Sequence, residues 1–154
     1  AVLTGDGGGD GDDGERRAPG EASRAAFEEI LAGAPTKLLI PARAAGAVIG
    51  KAGAGLKALR ETYGVQLELQ TPQQAPMWPQ DRVVIIKGTL QARQAAADAL
   101  LRMAFQSEDQ AMLVTLKMLV PSSAAGVVIG KQGCMLRSIR EHCGANPKVV
   151  EEAE

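Results

Sequence analysis

Apolar and polar positions follow two different periods along the middle of the chain. From 65 to 70 every second residue is apolar, which is the period of a strand with one buried face. From 54 to 63 apolar residues recur at i, i+3 and i+7, the period of an amphipathic helix, and Gly64 can end that helix in a left-handed conformation. Extended from 36 to 106, the pattern predicts the order β-α-α-β-β-α, with elements at 37–40, 44–49, 54–63, 65–70, 82–87 and 89–105.

These six elements predict an α+β fold of two layers. Three short strands form one sheet, and three helices with an apolar face cover one side of it. The segment 71–81 between the second and third strands contains three prolines and is expected to be a loop. Trp78 lies in this loop, where it either anchors the loop or stacks on a base.

Part of this pattern occurs twice. Residues 36–64 and 116–144 are identical at 15 of 29 positions without a gap. Because each copy of a repeat is one structural unit, shared residues show what the unit requires. A core explains the shared apolar residues, but it explains less well a Gly-Lys-x-Gly loop and an arginine seven residues after its last glycine. The function is therefore expected at this loop.

The second copy, placed at 113–154, is shorter than the first. The first copy continues from Gly64 to 106, whereas the sequence ends ten residues after Gly144. We expect this copy to lack the closing strand and helix, and to be unstable by itself.

The N-terminal segment differs in composition from the repeats. Residues 1–22 are rich in Gly and Asp and are expected to be disordered. Residues 23–35 are expected to form a short helix and a linker before the first complete unit, 36–106. The start at Ala1 rather than Met suggests a fragment or a processed product, and the acidic start does not resemble a secretory signal.

The net charge of −1 conceals an uneven distribution. Residues 36–106 hold nine basic and four acidic side chains, whereas residues 1–35 hold three basic and eight acidic ones. The positive block coincides with the complete copy, as expected of a unit that meets phosphates, although an ordinary solvated surface would look similar.

Cys134 and Cys143 lie nine residues apart on one predicted helix, about 13 Å along its axis, so free thiols and a reducing, intracellular setting are expected.

The repeated loop has the chemistry of a phosphate clamp. Glycine permits positive φ angles and close approach of another backbone, and the helix that follows directs its N–H groups and positive dipole end towards anions. Lys51 and Lys131 add a point charge. Lys51 is followed by Ala52 rather than Ser or Thr, so a P-loop is excluded. The glycine order also fails the dinucleotide-binding pattern, which needs a preceding strand.

The residues around this loop resemble the signature of K homology (KH) domains. Val48–Leu56 reads V-I-G-K-A-G-A-G-L and Val128–Leu136 reads V-I-G-K-Q-G-C-M-L. The β-α-α-β-β-α order resembles the type I form, with one complete and one truncated copy. Within the family the chain is similar to the group of poly(C)-binding proteins, heterogeneous nuclear ribonucleoprotein K and Nova.

The resemblance implies a module that holds about four nucleotides of a single strand, with the GxxG loop on the sugar-phosphate backbone. It implies that Arg60 and Arg82 read cytosine edges, for which an arginine fork has suitable donors. The implied binding residues are Gly46, Ala47, Ile49, Gly50, Lys51, Ala52, Gly53, Leu56, Arg60, Leu67, Leu69 and Arg82 in the first copy, and Gly126, Gly130, Lys131, Gln132, Gly133 and Arg140 in the second.

Two functional classes remain open at this point. The first is binding of single-stranded RNA, or single-stranded DNA, with preference for pyrimidines, in post-transcriptional regulation in the nucleus or cytoplasm. The second is a protein-interaction scaffold in which the KH folds mediate dimerisation or contacts with other RNA-binding proteins. No Ser/His/Asp or Cys/His set and no paired carboxylates are recognisable, so no catalysis, cofactor, metal or membrane partner is expected.

Overall fold

The computed structural model describes residues 25, 29, 32–106 and 115–150, together with the backbone of residues 2–5. The chain divides into two compact units, one of residues 34–112 and one that joins 1–33 with 113–154. The first strand, β1 (Val2–Gly5), belongs to the second of these units.

The unit 34–112 contains the first repeat. Its elements are β2 (Thr36–Pro41), α1 (Ala45–Ile49), α2 (Ala54–Tyr63), β3 (Gln66–Leu69), β4 (Asp81–Lys87) and α3 (Leu90–Ala104), with single 3-10 turns at Ala42–Ala44 and Lys51–Gly53. Strand β4 lies between β2 and β3 and is antiparallel to both. The predicted β-α-α-β-β-α order and the α+β class are confirmed.

The core of this unit lies between the sheet and the helices. Alternate residues of β4 share one face, which brings Val84 and Ile86 opposite Leu38 on β2 and Leu67 on β3. The largest fully buried apolar side chains are Leu38, Ile40, Val48, Val84, Ile86 and Leu100. Helix α3 contributes Leu100 to this core and is capped by Thr89, whose hydroxyl oxygen accepts a hydrogen bond from the Ala92 N–H at 3.2 Å.

A buried arginine holds α3 to the start of this unit. Arg93 is 2% exposed, and its Nε donates to the Gly88 carbonyl at 3.1 Å. Its Nη1 donates to the Thr36 hydroxyl at 3.1 Å and to the Ala34 carbonyl at 2.5 Å. The guanidinium therefore satisfies acceptors at the start of β2 and directly after β4, which are far apart in sequence.

The second unit contains the shorter repeat. Its elements after β1 are β5 (Lys117–Leu119), α4 (Ala125–Ile129), α5 (Cys134–Cys143) and β6 (Pro147–Val150), with 3-10 turns at Ser122–Ala124 and Lys131–Gly133. Residues 25, 29, 32 and 33 are helical, within the stretch where the sequence predicts a helix. Cys134 is buried, Cys143 is exposed, and both are free thiols.

Strand β1 corrects part of the sequence prediction. Disorder was expected over 1–22, but Val2–Gly5 form a strand that pairs with both β5 and β6. Local composition does not reveal such a strand, because its hydrogen-bond partners lie more than a hundred residues away. Residues 6–22 lie outside the described part of the chain. No helix in the described part is long and apolar enough to cross a membrane.

Candidate nucleic-acid interface

The Gly-Lys-x-Gly loop reverses the chain between two helices in both units. Helix α1 ends at Ile49, and Gly50 then adopts φ 70° and ψ −178°. Gly53 has φ 78° and is the last residue before α2. The second copy repeats these angles, with φ 75° at Gly130 and φ 74° at Gly133. The positive φ angles explain why glycine occupies these positions.

The non-glycine position inside each loop is also left-handed. Ala52 has φ 55° and Gln132 has φ 56°. A single L-residue in this region costs on the order of 1–2 kcal/mol, so its recurrence at equivalent positions is a conserved feature of the two loops in this chain. Both side chains, together with those of Lys51 and Lys131, are exposed to solvent.

A glycine that the sequence analysis did not single out determines how closely α1 and α2 approach. A Cβ built on Gly55 would lie 2.3 Å from the Val48 carbonyl oxygen, and one built on Gly50 would lie 2.7 Å from the Gly55 nitrogen. The loop is thus compact because neither residue has a side chain. A glycine in the first turn of a helix, where its propensity is poor, is the signal that could have identified Gly55.

The helices that follow the loops have no side-chain cap at their N-termini, and the first N–H of each donates to the loop, from Ala54 to the Lys51 carbonyl and from Cys134 to the Lys131 carbonyl. Gly53 and Gly133 occupy the N-cap positions of α2 and α5, and among the described residues no side chain accepts a hydrogen bond there as a cap. The first turns of both helices contain no acidic residue. The first N–H groups of a helix lack intrahelical acceptors, and the dipole gives this end a partial positive charge. Each loop therefore joins exposed lysine, backbone N–H groups and a helix dipole at one place.

The surface beside the first loop has little side-chain bulk. Gly46 is exposed, and a Cβ built there would meet no atom within 4 Å. Ala47 next to it is exposed, whereas Ile49 and Leu56 are half-buried. Gly126 is equally open in the second copy. This surface can accept another backbone or a flat base at close range.

Two arginines donate hydrogen bonds to backbone carbonyls of β3 and of the residue that follows it. Arg60 donates from Nε and Nη2 to the Leu67 carbonyl oxygen at 2.9 and 2.7 Å. Arg82 donates from Nη1 to the Gln70 carbonyl oxygen at 3.1 Å. Each guanidinium has five N–H donors, so these bonds position the fork and use only part of its capacity. Arg60 is exposed and Arg82 is half-buried.

The side chains of β3 differ in burial and in the face of the sheet on which they lie. Leu67 is 4% exposed and belongs to the core, so its contribution to the surface is the carbonyl that orients Arg60. Leu69 is half-buried on the same face. Glu68 alternates with them and pairs with Ile85, so its carboxylate lies on the opposite face of the sheet from Arg82.

The second loop has a comparable but different set of contacts. Arg140, the counterpart of Arg60, donates from Nε to the Asn146 side-chain oxygen at 3.0 Å. Arg137 donates from Nη2 to the Gln132 carbonyl at 2.9 Å, which places a second cation at the loop beside Lys131. Its counterpart in the first copy, Lys57, lies 3.9 Å from the Glu61 carboxylate. Sequence reasoning did not identify Arg137, because its role depends on the loop conformation.

No group of His, Cys, Asp and Glu among the described residues could hold a metal ion.

The sequence profile of the KH domain matches residues 35–102 and 115–154. This chain belongs to the KH domain family. The resemblance inferred from the loop is thereby confirmed, and the order of elements in 34–112 is that of the type I form.

Similar proteins occur in animals and in plants. The chain is 26% identical to RNA-binding protein Pasilla of Drosophila melanogaster over 129 residues, 75% of this chain and 16% of the relative. It is 27% identical to human RNA-binding protein Nova-2 over 136 residues, 77% of this chain and 28% of the relative. It is 28% identical to the RNA-binding KH domain-containing protein PEPPER of Arabidopsis thaliana over 134 residues, 77% of this chain and 26% of the relative. The chain thus spans less than a third of each of these relatives.

Proposed function

We propose that this chain binds single-stranded RNA through its Gly-Lys-x-Gly loops, without catalysis, and serves in post-transcriptional regulation. The observation that carries the proposal is the loop geometry, in which Lys51, an uncapped helix N-terminus and the open surface at Gly46 lie together. The names of Pasilla, Nova-2 and PEPPER as RNA-binding proteins support it. The backbone of the strand lies against the loop, and its bases lie on the apolar surface beside it.

We further propose a preference for cytosine-rich sequences. Cytosine presents two adjacent acceptors, O2 and N3, whereas uracil has a donor at N3. The Arg60 and Arg82 forks, held by the Leu67 and Gln70 carbonyls, offer only donors and therefore match cytosine. The two arginines select the base, while the loop contributes affinity that is independent of sequence.

The loop is tested by titrating the full chain against fluorescently labelled oligonucleotides and measuring anisotropy. Lys51→Asp combined with Ala52→Asp is expected to weaken RNA binding at least tenfold, because it places two carboxylates where phosphates bind. Thermal unfolding should change little, since both side chains are exposed and Asp tolerates the left-handed conformation of Ala52.

A matched variant separates the loop from general charge effects. Lys87→Asp with Gln91→Asp makes the same total charge change at two exposed positions. Lys87 ends β4, about 16 Å along the strand from Arg82, and Gln91 lies in the first turn of α3. It is expected to bind RNA nearly as the original chain does. If both double variants bind equally well, the loop is not the RNA site.

Base selection is tested with C-rich, U-rich and A-rich RNA and with C-rich DNA. Arg82→Lys is expected to reduce the preference for cytosine over uracil about tenfold, because an ammonium group cannot both hold the Gln70 carbonyl and present a planar fork. Equal affinity of the original chain for all oligonucleotides would refute the cytosine preference and leave the loop proposal intact. Absence of any binding would favour the alternative, a protein-interaction scaffold.

A further inference from the structure

Arg60 and Arg140 occupy the same place in the two repeats but are held by different groups. Each lies seven residues after the last loop glycine, on a ten-residue helix that ends at a left-handed glycine. Arg60 donates from Nε and Nη2 to the backbone carbonyl of Leu67, at 2.9 and 2.7 Å. Arg140 donates from Nε to the side-chain oxygen Oδ1 of Asn146, at 3.0 Å. The repeat thus places one guanidinium against a backbone carbonyl and the other against a side-chain amide.

The Asn146 amide is positioned by its neighbours in sequence and in space. Asn146 is half-buried and directly precedes β6, which begins at Pro147. The residue before a proline is kept extended, so the Asn146 backbone has little freedom. Because a guanidinium only donates hydrogen bonds, Arg140 keeps the amide oxygen, rather than the NH2 group, towards itself. An amide oxygen has two lone pairs, so it can hold Arg140 and accept a hydrogen bond from a base.

An arginine alone and an arginine with an amide oxygen match different base edges. The Arg60 fork presents only donors, which match the adjacent acceptors O2 and N3 of cytosine but not the N3–H of uracil. Arg140 and the Asn146 oxygen together present a donor beside an acceptor. Uracil offers the complementary pair, an acceptor at O2 or O4 beside the donor N3–H. Cytosine offers such a pair at N3 and the N4 amino group, so Arg140 with Asn146 matches both pyrimidines.

We propose that Asn146 is a specificity-determining residue through which the second unit accepts uracil as well as cytosine, whereas the first unit selects cytosine. This inference rests on the proposed binding of RNA. In the second unit Arg140 donates to a uracil carbonyl oxygen, and the uracil N3–H donates to Asn146 Oδ1. The two repeats share the loop that holds the sugar-phosphate backbone and differ in the group that reads the base.

The two units are compared within the full chain by disabling one loop at a time. Lys51→Asp with Ala52→Asp disables the first loop, and Lys131→Asp with Gln132→Asp disables the second, all at exposed side chains. Anisotropy titrations use C-rich and U-rich RNA of equal length. The chain with only its first loop intact is expected to prefer C-rich RNA about tenfold, and the chain with only its second loop intact to bind both within about threefold.

The possible outcomes separate base selection from RNA binding itself. If the chain with only its second loop intact binds no RNA, or prefers cytosine as strongly as the other chain does, the role of Asn146 is overturned while RNA binding by the first unit stands. If the original chain binds no RNA, the RNA-binding proposal is refuted and the role of Asn146 with it.

Variants of Asn146 are tested in the chain with only its second loop intact. Asn146→Leu removes the amide at similar size and is expected to weaken binding of U-rich RNA about tenfold more than that of C-rich RNA. Asn146→Asp retains an oxygen for both Arg140 and the N3–H, so the two affinities should stay within about threefold of each other. Gln66→Leu, at the exposed position of the first repeat that aligns with Asn146, is the control in the chain with only its first loop intact and should leave the cytosine preference unchanged. An equal loss of both affinities in Asn146→Leu would show that Asn146 has only a structural role.

A modified base tests the hydrogen bond itself. Replacing uridine by 3-methyluridine removes the N3–H, and U-rich RNA is then expected to bind the chain with only its second loop intact about tenfold more weakly. In 5-methyluridine the methyl group lies away from the N3 edge, so this RNA is the control and should bind as unmodified U-rich RNA does. Equal affinity for the two methylated RNAs would overturn the proposal, because the N3–H would then not be read.

Discussion

Gly55 lies so close to Val48 that a Cβ on Gly55 would be 2.3 Å from the Val48 carbonyl oxygen. This approach fixes the start of α2 against the end of α1 and so shapes the loop between them. The second copy has Met135 at the equivalent position, where the side chain is buried. The two loops therefore have the same backbone angles but are supported by different packing.

Gly55→Ala should destabilise the unit 34–112 by about 1–3 kcal/mol, because a backbone atom on α1 would have to move. The measurement is the midpoint of urea unfolding. Gly46→Ala is the control, since its Cβ would meet no atom within 4 Å and its helix would gain propensity. Gly46→Ala should leave stability unchanged or raise it while weakening RNA binding. Equal stability of the two variants would contradict the close packing of α1 and α2.

Arg93→Met should lower the free energy of unfolding by about 2–4 kcal/mol. Three acceptors around the buried guanidinium, the Gly88 and Ala34 carbonyls and the Thr36 hydroxyl, would lose a charged donor. Arg102→Met is the matched change on the exposed side of α3, where the arginine pairs with Asp98 at 2.9 Å, and it should have little effect. Urea unfolding of both variants checks this, and a small effect at Arg93 would show that water satisfies those acceptors.

RNA affinity should depend on salt to an extent set by the number of phosphates bound. If one unit neutralises about three phosphates, the logarithm of the association constant should fall against the logarithm of salt concentration with a slope of roughly −2. Anisotropy titrations across a range of KCl concentrations measure it. Lys51→Ala should make the slope less steep by about 0.7, since one phosphate contact is lost. A slope near zero would mean that phosphates contribute little to binding.

The two thiols should react at very different rates in the folded protein. Cys143 is exposed at the end of α5, whereas Cys134 is buried behind the second loop. A thiol reagent should modify one cysteine quickly and the second only as the unit opens, and mass spectrometry of the peptides identifies which. Rapid reaction of Cys134 would indicate that the second unit is open in solution.

Sequence reasoning was most successful where local interactions decide the structure. Helix α2 was predicted at 54–63 and occurs as Ala54–Tyr63, because its apolar period and the left-handed Gly64 are both local signals. The strand order and the loop glycines followed from the repeat, and the family followed from the loop. The binding roles assigned to these residues remain predictions.

Contacts between distant segments could not be derived in this way. The Arg93 guanidinium meets acceptors 57 and 59 residues away, and Leu67 proves to be a core side chain whose carbonyl orients Arg60. The pairing of β1 with β5 and β6 was missed because composition near the N-terminus indicates only flexibility. The sequence by itself determined the repeat, the helices and the loop, since these depend on neighbours within a few residues. The tertiary structure alone decided the partners of β1, Arg93 and Arg60, because strand pairing and buried hydrogen bonds depend on which distant groups the folded chain brings together.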